Sequence, residues 1–151
     1  ANQTLASTMS DSFHQDLSIG HEAEIHVLHQ IRAKYRGAVQ IKVKFSGYDI
    51  SIPETSQGVE VKFDKASKRT GNFIFELEAN HKPSGIMTSK AYWWVIYDGE
   101  ETYYIEKDEM LKLLIMANVN WTDLNNSSGE YRKVILLPTK YYKRYFKSNL
   151  Y

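Results

Sequence analysis

The stretch Gly58-Val59-Glu60-Val61-Lys62-Phe63-Asp64 alternates strictly between apolar and polar residues. Val59, Val61 and Phe63 share one face; Glu60, Lys62 and Asp64 share the other. That period of two is the signature of a half-buried strand, and it places an acid, a base and a second acid side by side. Ten residues separate Glu60 from Asp49 upstream. Tyr48-Asp49-Ile50-Ser51-Ile52 reads as a short strand ended by Pro53, so residues 48–64 read as a hairpin across the loop Pro53 to Gly58. A turn centred near Thr55 and Ser56 puts Asp49 opposite Lys62 and diagonal to Glu60, with all three on one face. A one-residue slip would separate them.

Upstream, Phe13 to about Arg36 reads as a helix, because Leu17, Val27, Leu28, Ile31 and Tyr35 recur at helical spacing. Glu24 falls on that apolar stripe, and a carboxylate there is costly unless something compensates it. Gly37 is a suitable helix stop. Val39 to Phe45 alternates as a further strand, as does Asn72 to Ala79. Lys65 to Gly71 reads as a basic loop, and Ile86 to Lys90 as a short helix capped by Ser84 or Thr88. Tyr92 to Tyr97 is an apolar, interior strand, joined through Asp98-Gly99 to a return strand over Thr102 to Ile105. Lys107 to Ala117 reads as a helix with Met110, Leu111, Leu114 and Ile115 as its apolar face. Asn118 to Gly129 is expected to be a polar loop and Tyr131 to Leu137 a last strand. The sum is one α/β or α+β domain around a mixed sheet. It spans residues 13–138, between a loose arm at 1–12 and a basic aromatic tail at 139–151 that packs on the same domain.

Composition narrows the chemistry. The chain has 151 residues, 42% of them hydrophobic and 13% aromatic, enough for a core. It has no cysteine, which excludes disulfides, thiolate metal sites and cysteine nucleophiles. No apolar run reaches the length of a membrane span, and residues 1–10 lack the order of a signal peptide. A soluble, cytoplasmic protein is the expectation. Net charge is only +1, but residues 132–151 carry six cations and no acid. There Lys140, Lys143 and Arg144 interleave with Tyr141, Tyr142, Tyr145 and Phe146. That pattern suits DNA backbone contact and base stacking, or equally the cover of a sheet edge or a dimer contact.

Phosphodiester hydrolysis needs a divalent cation to neutralise charge and to acidify an attacking water, and hard oxygen ligands suit Mg²⁺. Asp49 and Glu60 would supply them, with the Val61 carbonyl as a third. Lys62 would assist the water, and Glu24 would complete the shell. The bland alternative is a solvated strand face with a Glu–Lys pair. Glu76 and Glu78 either extend this site or lie on a solvated face. Thr70, Gly71 and Asn72 form either a plain turn or a backbone cradle near a phosphate. His26 and His29 have metal-pair spacing but no third ligand, and read as a polar helix face.

These residues resemble the motifs of the PD-(D/E)XK nuclease superfamily, and more narrowly a group of small phage and mobile-element endonuclease-like proteins. Gly20-His21-Glu22-Ala23-Glu24 is similar to the G-x-x-A-E opening of Holliday-junction-resolvase-like members, which maps their helical acid to Glu24. Asp49 matches the motif Asp, although Tyr48 stands where Pro is usual. Glu60 and Lys62 match E-x-K. Lys68 to Glu78 looks like K-x-T-G-N-x-x-x-E-x-E, and Lys82 to Ile86 like K-P-S-G-I. The segment Thr88 to Trp94 departs from T-x-A-D-x-W, with Tyr92 in place of the acid. The likeness covers roughly residues 20–97. It implies a restriction-endonuclease-like core and a Mg²⁺-dependent DNA endonuclease acting by metal-activated water, with Mn²⁺ able to substitute and no organic cofactor. The site would comprise Glu24, Asp49, Glu60 and Lys62, with Glu76 as an accessory. DNA contacts would fall to Lys65, Lys68, Arg69, Thr70, Asn72, Lys140, Lys143 and Arg144. A homodimer is expected, since a small enzyme of this kind cuts two strands as a pair. A non-catalytic DNA-binding or assembly protein on the same fold is the alternative.

Overall fold

A computed structural model describes residues 20–42, 47–116, 121–125 and 129–151, with the backbone alone at 116 and 121–125. The expected arm at 1–12, and the start of the first helix with Leu17, lie outside the described residues.

The strand that opened the sequence reading sits in the middle of a sheet. Helix α1 (20–32) leads into β1 (Val39–Gln40), β2 (Ile50–Ile52) and β3 (Gln57–Phe63). After α2 (Ser67–Thr70) come β4 (Asn72–Ala79), β5 (Lys82–Pro83) and a 3₁₀ turn at Gly85–Met87. Then follow β6 (Trp93–Tyr97), β7 (Thr102–Glu106) and α3 (Lys107–Met116). The chain closes with β8 (Trp121–Asn125), β9 (Tyr131–Pro138), α4 (Thr139–Tyr142) and a 3₁₀ turn at Lys143–Tyr145. One sheet has the order β1-β2-β3-β6-β7, the other β5-β4-β9-β8. The first is mixed: β3 and β6 are parallel, and its other pairs antiparallel. The architecture is therefore α+β with a mixed sheet flanked by helices, as expected in outline. The second, wholly antiparallel sheet is an addition.

Alternation decides which face each layer takes. Val59 and Val61 of β3, Ile50 and Ile52 of β2, and Trp93, Val95 and Tyr104 pack under Ala23, Val27, Leu28 and Ile31 of α1. The opposite face presents Trp94, Ile96 and Ile105 to α3 and to Phe73, Phe75, Ile135 and Leu137 of the second sheet. Glu60 and Lys62 pair with Trp94 and Ile96, so they sit on this second face. Gln30 ties α1 down, its Oε1 accepting from Thr102 Oγ1 at 2.9 Å and from the Tyr104 hydroxyl at 2.5 Å.

Several local expectations are corrected. The helix ends at 32, not near Arg36, and Gly37 serves instead to approach Glu54, whose Oε2 accepts its N–H at 2.8 Å. The strand expected over Val39 to Phe45 covers only Val39–Gln40, while 43–46 lie outside the described residues. Lys65 to Gly71 is not all loop, because Asp64 starts α2: its Oδ1 accepts the Ser67 N–H at 3.0 Å and its carbonyl the Ser67 hydroxyl at 2.9 Å. Gly71 ends that helix in the left-handed region at φ 74°. Ser84 does not cap the next turn; its hydroxyl donates to Glu76 Oε2 at 2.9 Å. On α3 the buried positions are Met110, Leu113 and Leu114, at i, i+3 and i+4, while Ile115 is 80% exposed. Within the expected polar loop, 121–125 form β8 on the edge of the second sheet, held by β9. There a partner strand supplies what local apolar pattern does not.

The tail packs back. Lys147 and Tyr104 exchange backbone hydrogen bonds at 2.7 and 2.8 Å, covering the β7 edge. Phe146 stands 5.2 Å from Phe73, and Leu150 is buried in the α1 core. Of the readings open for this segment, edge cover is the one observed, and it leaves the outer cations exposed.

Candidate functional site

The β2–β3 hairpin fixes the positions of the acids. Its register pairs Ile50 with Val59 and Ile52 with Gln57, around a turn over residues 53–56. Continued one step, it sets Asp49 across from Glu60, with Lys62 on the diagonal. The turn centres one residue earlier than expected, which shifts the pairing by two and preserves the face. Asp49 itself leaves the ladder: its N–H reaches Val59 O at 2.9 Å and its Oδ2 accepts the Val61 N–H at 2.8 Å. A strand residue's N–H and C=O point to the same side, so the Val61 carbonyl faces the same edge as Asp49. Gly58 is needed here, since a Cβ on it would lie 2.4 Å from the Tyr48 ring.

Glu24 comes from the flank of the α1 stripe, its side chain 19% exposed. Gln40 on β1 compensates it, donating from Nε2 to Glu24 Oε2 at 2.6 Å. His21 Nδ1 stands 3.9 Å from the same oxygen. Burial raises the Glu24 carboxyl; the Gln40 hydrogen bond opposes this, and Asp49 adds to it. Burial likewise raises Asp49, opposed by the Val61 N–H and the Lys62 ammonium. Glu60 is pushed up to about 7, first by burial and then by the Asp49 charge, with Lys62 opposing and Glu24 adding. Lys62 Nζ stands 3.2 Å from Glu60 Oε1 and 5.6 Å from the centre of the Trp94 ring. Asp49 and Glu60 thus share their titration across a gap that one cation partly neutralises.

The fold therefore sets Glu24 of α1 and Asp49 of the bend before β2 within electrostatic reach of Glu60 on β3, with Lys62 in contact with Glu60. Their hard oxygens, with Glu24 and Glu60 raised by the Asp49 charge, suit a hard divalent cation. Among the described residues, no three His, Cys, Asp or Glu side chains are grouped to hold a metal ion between them. The protein's share would be Asp49, Glu60 and the Val61 carbonyl. That is compatible with Mg²⁺, which keeps waters and phosphate oxygens in its shell.

The remaining candidates divide. Glu76 is engaged by Ser84 and by Arg132, whose Nε is 3.4 Å from Glu76 Oε1. It lines a groove of about 380 Å³ that Lys62 also lines. Glu78 pairs with Lys133 at 3.7 Å, beyond a register shift that separates it from Glu76. Thr70 and Asn72 bond to each other through Oγ1 and Nδ2, which makes 70–72 a turn. Thr139 donates to the Gly71 carbonyl at 2.9 Å, so that turn abuts α4. The two cation-bearing stretches, far apart in sequence, are thereby neighbours. Lys65, Arg69, Lys140 and Arg144 are exposed, Arg144 lying over Tyr145. Lys68 is occupied by Glu100 at 2.7 Å and Lys143 by Glu101 at 3.5 Å. His26 stacks on Tyr97 at 4.3 Å, in keeping with a helix-face role.

Sequence reasoning missed Gln40 and Arg132. Gln40 was signalled only by strand register, since its pairing with Ile50 places it one step from Asp49. Arg132 had no signal, because only the β4–β9 pairing brings it to Glu76. No protein-family model, curated protein or solved structure matches the chain.

Proposed function

We propose that this chain is a Mg²⁺-dependent DNA endonuclease with a restriction-endonuclease-like core. The observation that carries the reading is the meeting of Glu24, Asp49 and Glu60 beside Lys62, with Glu60 raised to about 7 by burial and by its carboxylate neighbours. Half-buried acids that repel one another are costly to keep, and such costs cluster at functional sites. The α1–β1–β2–β3 order and the parallel β3–β6 pair also suit that core, although here the crossover runs through β4 and β5.

In this reading Asp49 and Glu60 hold the cation, which when bound supplies positive charge against the scissile phosphate and acidifies a water. Lys62 steers the attacking oxygen and balances charge developing on the phosphate. Gln40 holds Glu24 in place, and Glu24 supports the pair. Lys65, Arg69, Lys140 and Arg144 line the DNA backbone. A homodimer would present two such sites. A Mn²⁺-soaked crystal tests the cation site: anomalous density between Asp49 and Glu60, lost in Asp49→Asn, is expected.

Two observations favour a second reading, a non-catalytic DNA-binding or assembly protein. Lys62 already pairs with Glu60, and among the described residues no three side chains are grouped for a metal. Metal-independent DNA binding with no cleavage and no Mn²⁺ density would decide for it.

A further inference from the structure

Lys62 borders two places at once. Its ammonium is 3.2 Å from Glu60, where a phosphate would be handled, and 5.6 Å from the Trp94 ring, at the groove between the two sheets. Phe75, Trp94, Ile96 and Val134 are among its lining residues and are themselves buried. Ile74, 45% exposed, and Phe63, 36% exposed, also line it. Arg132 and Glu76, also in the lining, form a donor–acceptor pair at 3.4 Å, and Arg132 Nη2 stands 3.2 Å from Glu130 Oε2 as well. A groove that carries a cation, a donor–acceptor pair and the exposed apolar side chains of Phe63 and Ile74 suits a heteroaromatic ring joined to a phosphate.

We infer that the groove between the sheets receives an unpaired nucleobase of the nucleotide whose phosphate lies at Glu60 and Lys62. The substrate class is then DNA with unstacked bases: single strands, bulges or branch points. A base inside a duplex is held in its stack and does not reach such a slot without being turned out, which costs unstacking energy. Arg132 donates to the base edge and Glu76 accepts from it, each giving up part of its present pairing. Phe63 and Ile74, the exposed apolar residues of the lining, pack on its faces. The inference rests on the nuclease reading for the phosphate's position, but base capture is measurable without cleavage.

The test uses the full chain in EDTA and short oligonucleotides carrying 2-aminopurine. One is single-stranded, one has the probe as a bulge, one is fully paired, and one has an abasic site at the probe position. Single-stranded and bulged probes are expected to bind about tenfold more tightly than the paired and abasic ones, with a fluorescence change on binding. Ile74→Glu is expected to abolish that preference while keeping the wild-type circular dichroism; Arg132→Ala, at an exposed position, is a second variant that should reduce it. Equal binding of abasic and base-containing strands, or a preference untouched by both variants, overturns the inference. Cleavage with Mg²⁺ but no base preference overturns it and leaves the nuclease reading standing. Base-dependent binding without cleavage by any cation overturns the nuclease reading and retains the groove. Absence of DNA binding overturns both.

Discussion

Above neutral pH an ionised Glu60 faces ionised Asp49 and Glu24 from a half-buried position, with Lys62 in answer. Its carboxyl titrates at about 7 in the fold against an ordinary value of 4.5. Between those values the folded chain binds more protons than the unfolded chain, so stability falls as pH rises through that window. Glu24 and Asp49, also raised, add the same sign. Glu60→Gln should therefore be more stable than wild type at about pH 8, by up to roughly 3 kcal/mol, with the gap closing below the ordinary value. Urea denaturation at two pH values measures it. Mg²⁺ at high pH should recover part of the loss in the wild type but not in the variant, by mass action on the folded state. Asp49, Glu60 and Lys62 could be grouped from the sequence because a strand's period fixes which side chains share a face, and Glu24 because helical spacing put it on the apolar stripe. Gln40 and Arg132 could not, because each is recruited through the register of a strand pairing that the sequence leaves open.

The alternating runs at β3 and β4 read correctly, the one over residues 39–45 did not, and elements held by neighbours did not either. The β3 strand declared itself through Val59, Val61 and their polar partners. The β8 strand did not, since an edge strand of mixed composition owes its existence to β9. The α2 turn was hidden because its start lies in the Asp64 side chain, which carries no motif counterpart. The K-P-S-G-I run proves structural at Gly85. Its φ is +57° and a Cβ there would lie 2.3 Å from the Glu76 carbonyl oxygen. Gly85→Ala should cost about 2–4 kcal/mol in urea denaturation, from left-handed strain plus the overlap with backbone. It should also disturb the Ser84–Glu76 end of the groove.

On the scale of the whole molecule, the tail is a strap over the β7 edge, and its cohesion is testable. Leu150→Ala should destabilise the fold by roughly 2–4 kcal/mol, because Leu150 is buried against the α1 core. The outer cations act separately from that packing. Replacing Lys140 and Arg144 with alanine should leave stability within about 0.5 kcal/mol. The same pair should lower the slope of log affinity against log salt for DNA by about 2, as expected for two lost phosphate contacts. A net charge of +1 makes this surface, not the chain as a whole, the source of any nucleic-acid affinity.

If Asp49, Glu60 and Lys62 form a cation-dependent hydrolytic site, plasmid cleavage will depend on each of them and on the cation. Supercoiled, single-stranded and branched DNA would be incubated with wild type, Glu60→Gln and Lys62→Ala, in Mg²⁺, Mn²⁺ or EDTA. Cleavage by wild type with either cation is expected, with none in EDTA and a rate at least about a hundredfold lower in each variant. Equal rates for Lys62→Ala and wild type, or cleavage that persists in EDTA, would contradict it.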